Sequence, residues 1–200
     1  MPSVDLVMSE DTFLRDSSAT TNFSTNTSLS IGEHNAAATI DRALIKPDFS
    51  SVPTDAIFKT AILKLTPITD LSSNASVVYC HSIIKDVTYN QATWNEPISG
   101  FGWTAFGCSD PTYDYRASEI LGFMSVVASP TLNVQLEMTL DANILRKTFD
   151  GTYTNYGLVL FTEDQTNDLI QYASTNHATS AYRPIITLTY VLPGGAAAFF

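Results

Sequence analysis

The chain has 200 residues, which fits one β-domain with a single large core. Hydrophobic residues make up 44% of it and charged residues only 15%, and Ser, Thr and Asn are abundant, a balance typical of strands and turns. The net charge of −10 excludes nucleic acid and anionic membrane as favoured partners, because both repel an acidic surface.

The N-terminal segment MPSVDLVMSEDTF has neither a basic region nor an apolar run of signal-peptide length. No segment elsewhere is long and apolar enough to span a membrane. We therefore expect no signal peptide and no membrane insertion.

Alternation of apolar and polar residues predicts strands along most of the chain. A short strand is predicted at Phe13 and Arg15, followed by a polar loop over 17–28 and a strand from Leu29 to Gly32. Further strands are predicted at residues 40–45, 57–65, 76–84, 133–140, 158–162, 169–172 and 185–192.

Helix is scarce. Residues 142–149, ANILRKTF, place three apolar residues on one face and are predicted to form a short helix capped by Asp141. Residues 117–128 fit either a helix or a strand, because Val126 and Val127 favour extended backbone.

No internal repeat or linker interrupts the pattern, so one β-sandwich domain is predicted over residues 1–192. The tail 193–200, PGGAAAFF, is predicted to be flexible or to dock on a partner, with Phe199 and Phe200 as the candidate assembly contacts. Two cysteines, Cys80 and Cys108, either form a disulfide or remain two buried thiols.

Short motifs occur in order along the chain: DTF at 11–13, LSIG at 29–32, DRALIK at 41–46, FSSVP at 49–53, AILKL at 61–65, ATWNEP at 92–97, the segment 139–151, NYGL at 155–158 and RPIITLTY at 183–190. Together they resemble the DNRLRE-type module, which is related to disaggregatase-associated domains and to one family of carbohydrate-binding modules. The resemblance implies an all-β, antiparallel, jelly-roll-like β-sandwich with one or two short helices and a non-catalytic accessory role. The chain departs from the family pattern at Pro47 and over residues 101–128.

Three residues in the family-like segments are interpreted as structural. Arg42 is expected to be at least half-buried and paired with Asp48 or Asp41, which would lock the sheet; the alternative is a guanidinium that binds a ligand carboxylate. Trp94 is expected to pack on the core at a corner and not to offer a sugar platform.

The candidate binding surface lies in the segment that departs from the family. Exposed aromatic residues on a glycine-rich loop form glycan platforms or protein-binding patches, although core-plugging loops have the same composition. The residues of this surface are Phe101, Trp103, Phe106, Tyr113 and Tyr115.

Calcium is the one cofactor considered. Asp11 and Asp16 supply oxygen donors beside the first strand, although no linear calcium loop is present. Catalysis is not expected, because His34, His81 and His177 occur in unrelated contexts and no nucleophile, zinc or phosphate-loop motif appears.

Two non-catalytic functions fit these features. The preferred prediction is a structural or display subunit on a particle or filament, such as a virion decoration protein, with homo-oligomer or capsid-type protein partners and additional glycan contact. It rests on the missing export signal, the acidic hydroxyl-rich surface and the apolar tail. The alternative is a carbohydrate-binding accessory module of a secreted or surface protein. Both place the protein on a virion or an extracellular surface.

Overall fold

The polypeptide is mainly β, with antiparallel strands, and a computed structural model describes residues 1–34, 39–163 and 167–193. The strands in chain order are β1 (Ser3–Arg15), β2 (Ser28–His34), β3 (Thr39–Pro47), β4 (Ile57–Leu65), β5 (Pro67–Asp70), β6 (Ser76–Ile83), β7 (Tyr115–Val126), β8 (Leu136–Leu140), β9 (Leu158–Thr162), β10 (Ile170–Ala173) and β11 (Ile185–Val191). Phe199 and Phe200 lie outside the described residues, so the assembly tail stays a prediction.

One α-helix, α1 (Ala142–Phe149), occurs in the part of the chain that the structure describes. The Asp141 carboxylate accepts hydrogen bonds from the backbone N–H groups of Asn143 and Ile144, at 2.8 and 3.1 Å. These bonds satisfy two amides that have no partner within the helix. The predicted helix and its cap are therefore confirmed. No described helix has the length and apolar character needed to cross a membrane.

Eight strands close into a ring in the order β1, β11, β4, β8, β7, β6, β9 and β3. The ring closes because the first half of β1 pairs with β11 and its second half pairs with β3. Strands β2, β10 and β5 extend from β3 outside the ring. The all-β class is confirmed, but the prediction of a jelly-roll sandwich is corrected to a closed eight-stranded barrel with three added strands.

A β-bulge between Met8 and Glu10 lies where β1 changes its pairing partner from β11 to β3. The register of the β1–β3 pair shifts at this point, and a bulge bends a strand and increases its twist. The bulge leaves Ser9 exposed while the flanking Met8 is buried. The bulge therefore places two successive exposed residues, Ser9 and Glu10, at the centre of β1.

Two hydrophobic clusters hold the molecule together. The larger fills the interior of the barrel, where Leu6, Leu63, Met138, Leu160 and Leu188 are all fully buried. The second, called the outer cluster below, lies outside the barrel wall, beneath the long connection between β6 and β7. Its buried members are Leu14, Leu44, Ile83, Val87, Tyr89, Ala92, Trp103, Cys108, Val159 and Phe161.

Several element boundaries agree with the sequence pattern, and others do not. The bounds of β4 and β9 match the predictions, and the ambiguous residues 117–128 lie mostly in strand β7. Strand β1 begins at Ser3, ten residues before the predicted Phe13 start, and β5 was not predicted. Cys80 and Cys108 are both buried free thiols, so they do not form a disulfide.

Candidate functional site

The predicted aromatic surface is only partly a surface. Phe101, Phe106 and Tyr113 are exposed, at 68%, 62% and 65%. Trp103 is only 5% exposed, and its indole N–H donates to the Thr93 carbonyl oxygen at 2.9 Å. The prediction of Trp103 as an exposed platform is therefore wrong, because its loop folds back and buries the indole in the outer cluster.

The other aromatics of this segment do not form one platform. Tyr115 is half-buried, with its ring centroid 5.0 Å from that of His81 and 5.4 Å from that of Phe161. Within the described part of the chain, no ring contact joins Phe101, Phe106 and Tyr113 to one another. They remain separate exposed side chains, and their binding role stays a prediction.

The loop that carries these aromatics is organised by a residue that sequence reasoning missed. The fully buried Asp114 carboxylate accepts hydrogen bonds from the backbone N–H groups of Thr104, Ala105 and Asp110, at 2.9 to 3.0 Å. Its charge is also 3.8 Å from the Lys85 ammonium. Asp114 therefore holds the loop in shape, and nothing in the local sequence distinguishes it from other acidic loop residues.

Arg42 is half-buried and contacts the protein itself, but its predicted partners are wrong. Its guanidinium donates to the Cys108 carbonyl oxygen at 3.2 Å and lies 4.9 Å from the Phe161 ring centroid. Asp41 instead pairs with Arg15 at 2.6 Å, and the Asp48 carboxylate accepts from the Ser50 backbone N–H. Arg42 and Asp41 have different partners because successive strand residues point to opposite faces of the sheet. Arg42 thus links the connection between β6 and β7 to the barrel wall.

Trp94 lies against the same loop. It is partly buried in the outer cluster, and its ring packs on the backbone of Gly107. A Cβ atom at Gly107 would lie 2.6 Å from the indole, and the residue has φ +74°, so both space and backbone conformation require glycine there.

The two candidate calcium ligands face different partners. The Asp11 carboxylate accepts from the Thr175 backbone N–H at 2.6 Å, whereas Asp16 accepts from the backbone N–H groups of Ser17 and Ile40. No group of three or more His, Cys, Asp or Glu side chains that could hold a metal ion occurs in the described residues. Calcium binding stays a prediction, and the described residues offer no cluster of side-chain ligands that supports it.

The β1 bulge opens into a polar cleft of about 210 Å³. It lies where β1 meets the β1–β2 loop, the β6–β7 connection and the β10–β11 loop. Its walls carry hydroxyl, amide and carboxyl groups from Ser9, Glu10, Asp11, Ser24, Tyr89, Asn90, Thr175 and Asn176. Sequence reasoning singled out Asp11 of this set as a calcium donor but did not connect it with the loop residues of the cleft, because those lie far away in the chain.

Hydrogen bonds between loops hold the polar cleft in shape. The Asn176 side-chain amide donates to the Ser24 carbonyl oxygen at 2.8 Å, which ties the β10–β11 loop to the β1–β2 loop. The Asn22 amide donates to the Tyr89 carbonyl oxygen at 2.8 Å, which ties the β1–β2 loop to the β6–β7 connection. The walls of the cleft are therefore formed before any ligand arrives.

Charge in the cleft is concentrated at its β1 side. Glu10 is exposed and pairs with Lys46 at 3.0 Å, while Asp11 is buried. Burial raises the pKa of Asp11 to about 6, although the hydrogen bond from Thr175 acts in the opposite direction. The polar cleft therefore carries one exposed and one buried carboxyl group beside β1.

A second, mainly apolar cleft of about 360 Å³ lies beside the polar one. The two clefts share Thr175, and they adjoin where Met8 precedes Ser9. The lining of the apolar cleft is Val7, Met8, Thr175, Ser180, Arg183, Pro184 and Ile185. The two clefts together are called the β1 groove below.

One wall of the apolar cleft is braced by its own polar contacts. Arg183 donates from Nε to the His177 carbonyl oxygen at 2.9 Å, and the His177 and Tyr182 rings lie 5.6 Å apart. The groove thus has an apolar half and a half rich in hydrogen-bonding groups. This combination suits a ligand that has apolar faces and many hydroxyl groups.

Part of the chain matches a known family of protein modules. Residues 2–99, just under half of the chain, match the model of carbohydrate-binding module family 96. The matched segment includes six of the eight residues that line the polar cleft. The match supports the carbohydrate-binding part of the resemblance, and the DNRLRE-type and disaggregatase naming stays a prediction. A search of curated proteins finds no match.

Proposed function

We propose that this protein is a non-catalytic carbohydrate-binding module and that the β1 groove holds its ligand. The observation that carries the proposal is the match of residues 2–99 to a carbohydrate-binding module family. The groove is the candidate site because most of its polar lining lies in the matched segment. The predicted alternative, an accessory carbohydrate-binding module, is therefore preferred over a display subunit, for which the comparisons give no support.

The two halves of the groove would recognise two sides of a sugar. The exposed Val7 and the half-buried Ile185 offer apolar contact to the C–H faces of a ring. Glu10 and Asn90 are exposed at the polar end, where their oxygen and nitrogen atoms would exchange hydrogen bonds with hydroxyl groups. Because the walls are held by bonds between loops, little ordering would accompany binding.

Partner and location follow as part of the same proposal. A polysaccharide partner would place the protein at an extracellular surface. A carbohydrate-binding module has no catalytic activity of its own, and binding would bring an attached or associated protein to its substrate.

The test is calorimetry and gel retardation against a panel of neutral and uronic-acid polysaccharides. Asn90→Ala and Glu10→Gln change exposed side chains of the polar cleft, so both variants should fold normally. We expect each to weaken binding about tenfold, the loss of one or two hydrogen bonds. Phe101→Ala and Phe106→Ala, on the exposed loop outside the groove, serve as matched controls and should bind like the natural protein.

The outcomes separate the site from the function. If the loop variants lose binding while Asn90→Ala keeps it, the function stands and the groove is the wrong site. If the natural protein binds no polysaccharide of the panel, the proposed function itself is wrong.

A further inference from the structure

Three aromatic rings lie side by side on the outer face of the barrel. Strand β6 pairs with β7 on one side and with β9 on the other, and Tyr79 is directly opposite Phe123 in the first pair and Phe161 in the second. The Tyr79 ring centroid lies 6.3 Å from that of Phe123 and 6.4 Å from that of Phe161. Directly opposite residues project from the same face of a sheet, so the three rings form one row, called the aromatic row below.

One end of the aromatic row is buried and the other end is open. Phe161 is only 4% exposed and belongs to the outer cluster, and Tyr79 is half-buried at the border of that cluster. Phe123 is 61% exposed. The row therefore presents two adjacent rings to solvent where the outer cluster ends.

The buried end of the row holds the next ring in place. The Phe161 ring stacks on His81 with 5.6 Å between centroids and 12° between planes, and the Arg42 guanidinium lies 4.9 Å from its centroid. Tyr115 packs on the same ring at 5.4 Å. Because Tyr79 rests on this packed group, a ligand would meet a surface that is already formed, and little ordering would accompany its binding.

Polar side chains flank the open end. Ser125 lies two residues along β7 from Phe123, on the same face of the sheet, and is exposed. Glu163 is exposed two residues after Phe161. A hydroxyl and a carboxylate group therefore lie near the two open rings, and both exchange hydrogen bonds with hydroxyl groups.

We propose that the open end of the aromatic row is a second carbohydrate-binding surface, where a sugar ring of a neutral polysaccharide stacks on Phe123 and Tyr79. The class of ligand rests on the proposed function. The C–H groups on the face of a sugar ring carry a partial positive charge and the face of an aromatic ring is negative, so the two faces attract. A neutral sugar is expected, because Glu163 and the net charge of −10 repel a uronic acid.

Two other occupants fit this surface less well. The C-terminal segment continues from β11, which lies four strands from β6 in either direction around the ring and thus on the opposite side of the barrel. A second copy of the chain would bring another charge of −10 and another Glu163 towards the same surface. A neutral sugar meets neither obstacle.

Phe123→Leu separates ring stacking from general apolar contact. Leucine keeps an apolar side chain but has no aromatic face. We therefore expect calorimetry with hydroxyethyl cellulose, galactomannan and laminarin to show binding weakened at least about tenfold for whichever of them the natural protein binds. Phe106→Leu makes the same change at a residue that is 62% exposed and lies outside the row, so it should bind like the natural protein.

Phe123→Trp supplies a local signal. It keeps an aromatic face at the open end, so binding should persist, and the fluorescence emission of the new indole should shift when polysaccharide is added. The natural protein, in which Trp94 is partly buried and Trp103 is buried, gives the baseline. Phe106→Trp, which places an indole outside the row, should show no shift.

The outcomes separate this surface from the β1 groove. Weaker binding in Phe123→Leu together with normal binding in Asn90→Ala and Glu10→Gln would support the aromatic row and remove the groove as the site. Unchanged binding in Phe123→Leu with no fluorescence shift in Phe123→Trp would overturn this proposal alone.

Two further results would also overturn the proposal. If the natural protein binds none of the three polysaccharides, the proposed function is wrong together with this surface. If sedimentation equilibrium shows self-association that Phe123→Leu abolishes, the aromatic row is a contact between copies of the chain and not a sugar platform.

Discussion

At the scale of single residues, the buried polar groups of this protein bond mainly to backbone atoms. Arg42 donates to the Cys108 carbonyl oxygen, Asp114 accepts from three amides of its own loop, and Asp11 accepts from Thr175. Each of these contacts joins segments that lie on different elements or loop turns. Their loss should therefore destabilise the fold near the site without changing its topology.

Arg42→Met tests the tie between the outer loop and the barrel. Methionine keeps most of the apolar stem but leaves the Cys108 carbonyl oxygen without its donor. We expect a loss of about 1–3 kcal/mol in the free energy of unfolding, measured in urea. Lys59→Met, at an exposed strand residue, is the control and should change stability little. Equal losses in the two variants would show that the Arg42 contact contributes nothing specific.

Asp11 should make stability depend on pH. Burial raises its pKa to about 6 from 3.8, so the folded state binds its proton more tightly than the unfolded chain does. The contribution of Asp11 to stability is therefore fully present below about pH 4 and is lost as pH rises through about 6. The difference amounts to at most about 3 kcal/mol.

Asp11→Asn keeps an acceptor for the Thr175 N–H but removes the titration. Urea unfolding at about pH 4.5 and pH 7.5 should show a smaller stability difference in this variant than in the natural protein. Asp41 also has a pKa raised by burial, so only the difference between the two proteins reports on Asp11. Asp55→Asn, at an exposed position, should leave the pH dependence as it is. An unchanged profile in Asp11→Asn would contradict this role.

Partners of single residues were the hardest feature to predict from sequence. Asp41 and Asp48 are the nearest carboxylates to Arg42 in sequence, yet its bonds go to backbone carbonyl oxygens 65 and 66 residues away. Every residue type carries a carbonyl, so such a partner leaves no trace in composition or spacing. The Asp141 cap was predictable because its partners lie two and three residues further along the chain.

At the scale of elements, the connection between β6 and β7 forms a small core of its own on the barrel wall. Trp103, Tyr89 and Val87 pack there against Leu44 and Phe161 of the wall strands. The connection therefore behaves as a packed element and not as a flexible loop, and it contributes Tyr89 and Asn90 to the groove.

Trp103→Ala measures that packing. The variant removes a buried indole and its hydrogen bond to Thr93, so we expect a loss of about 3–5 kcal/mol in the free energy of unfolding. Phe101→Ala, two residues away and 68% exposed, should change it by less than about 0.5 kcal/mol. A similar small effect of both substitutions would mean that the connection does not pack as described.

The pattern of apolar and polar residues predicted the elements in which that pattern repeats regularly, and it missed elements that are too short to show a repeat. The alternation in β4 and the capped helix α1 were both predicted with their bounds. Strand β5 has four residues and a proline, too few to show a period. The burial of Trp103 depends on how the whole connection folds back, so its glycine-rich surroundings alone suggested exposure.

At the scale of the whole molecule, barrel closure creates the groove. The bulge in β1 and the β10–β11 loop meet only because β1 pairs with both β11 and β3, which brings Asp11 to Thr175, 164 residues away in sequence. The all-β class and most of the strands were predictable from sequence, but the closed ring was not, because alternation does not specify which strands are neighbours. The candidate site could not be predicted for the same reason.

Hydrogen–deuterium exchange, with and without a bound polysaccharide, tests the central claim most directly. If the β1 groove binds carbohydrate, backbone amides at residues 8–11, 89–90, 175–176, 183 and 185 should gain protection together, because these residues line the two adjoining clefts. Amides at residues 101–113 should exchange as before. Protection confined to residues 101–113, or none at any polysaccharide concentration that saturates binding, would contradict the claim.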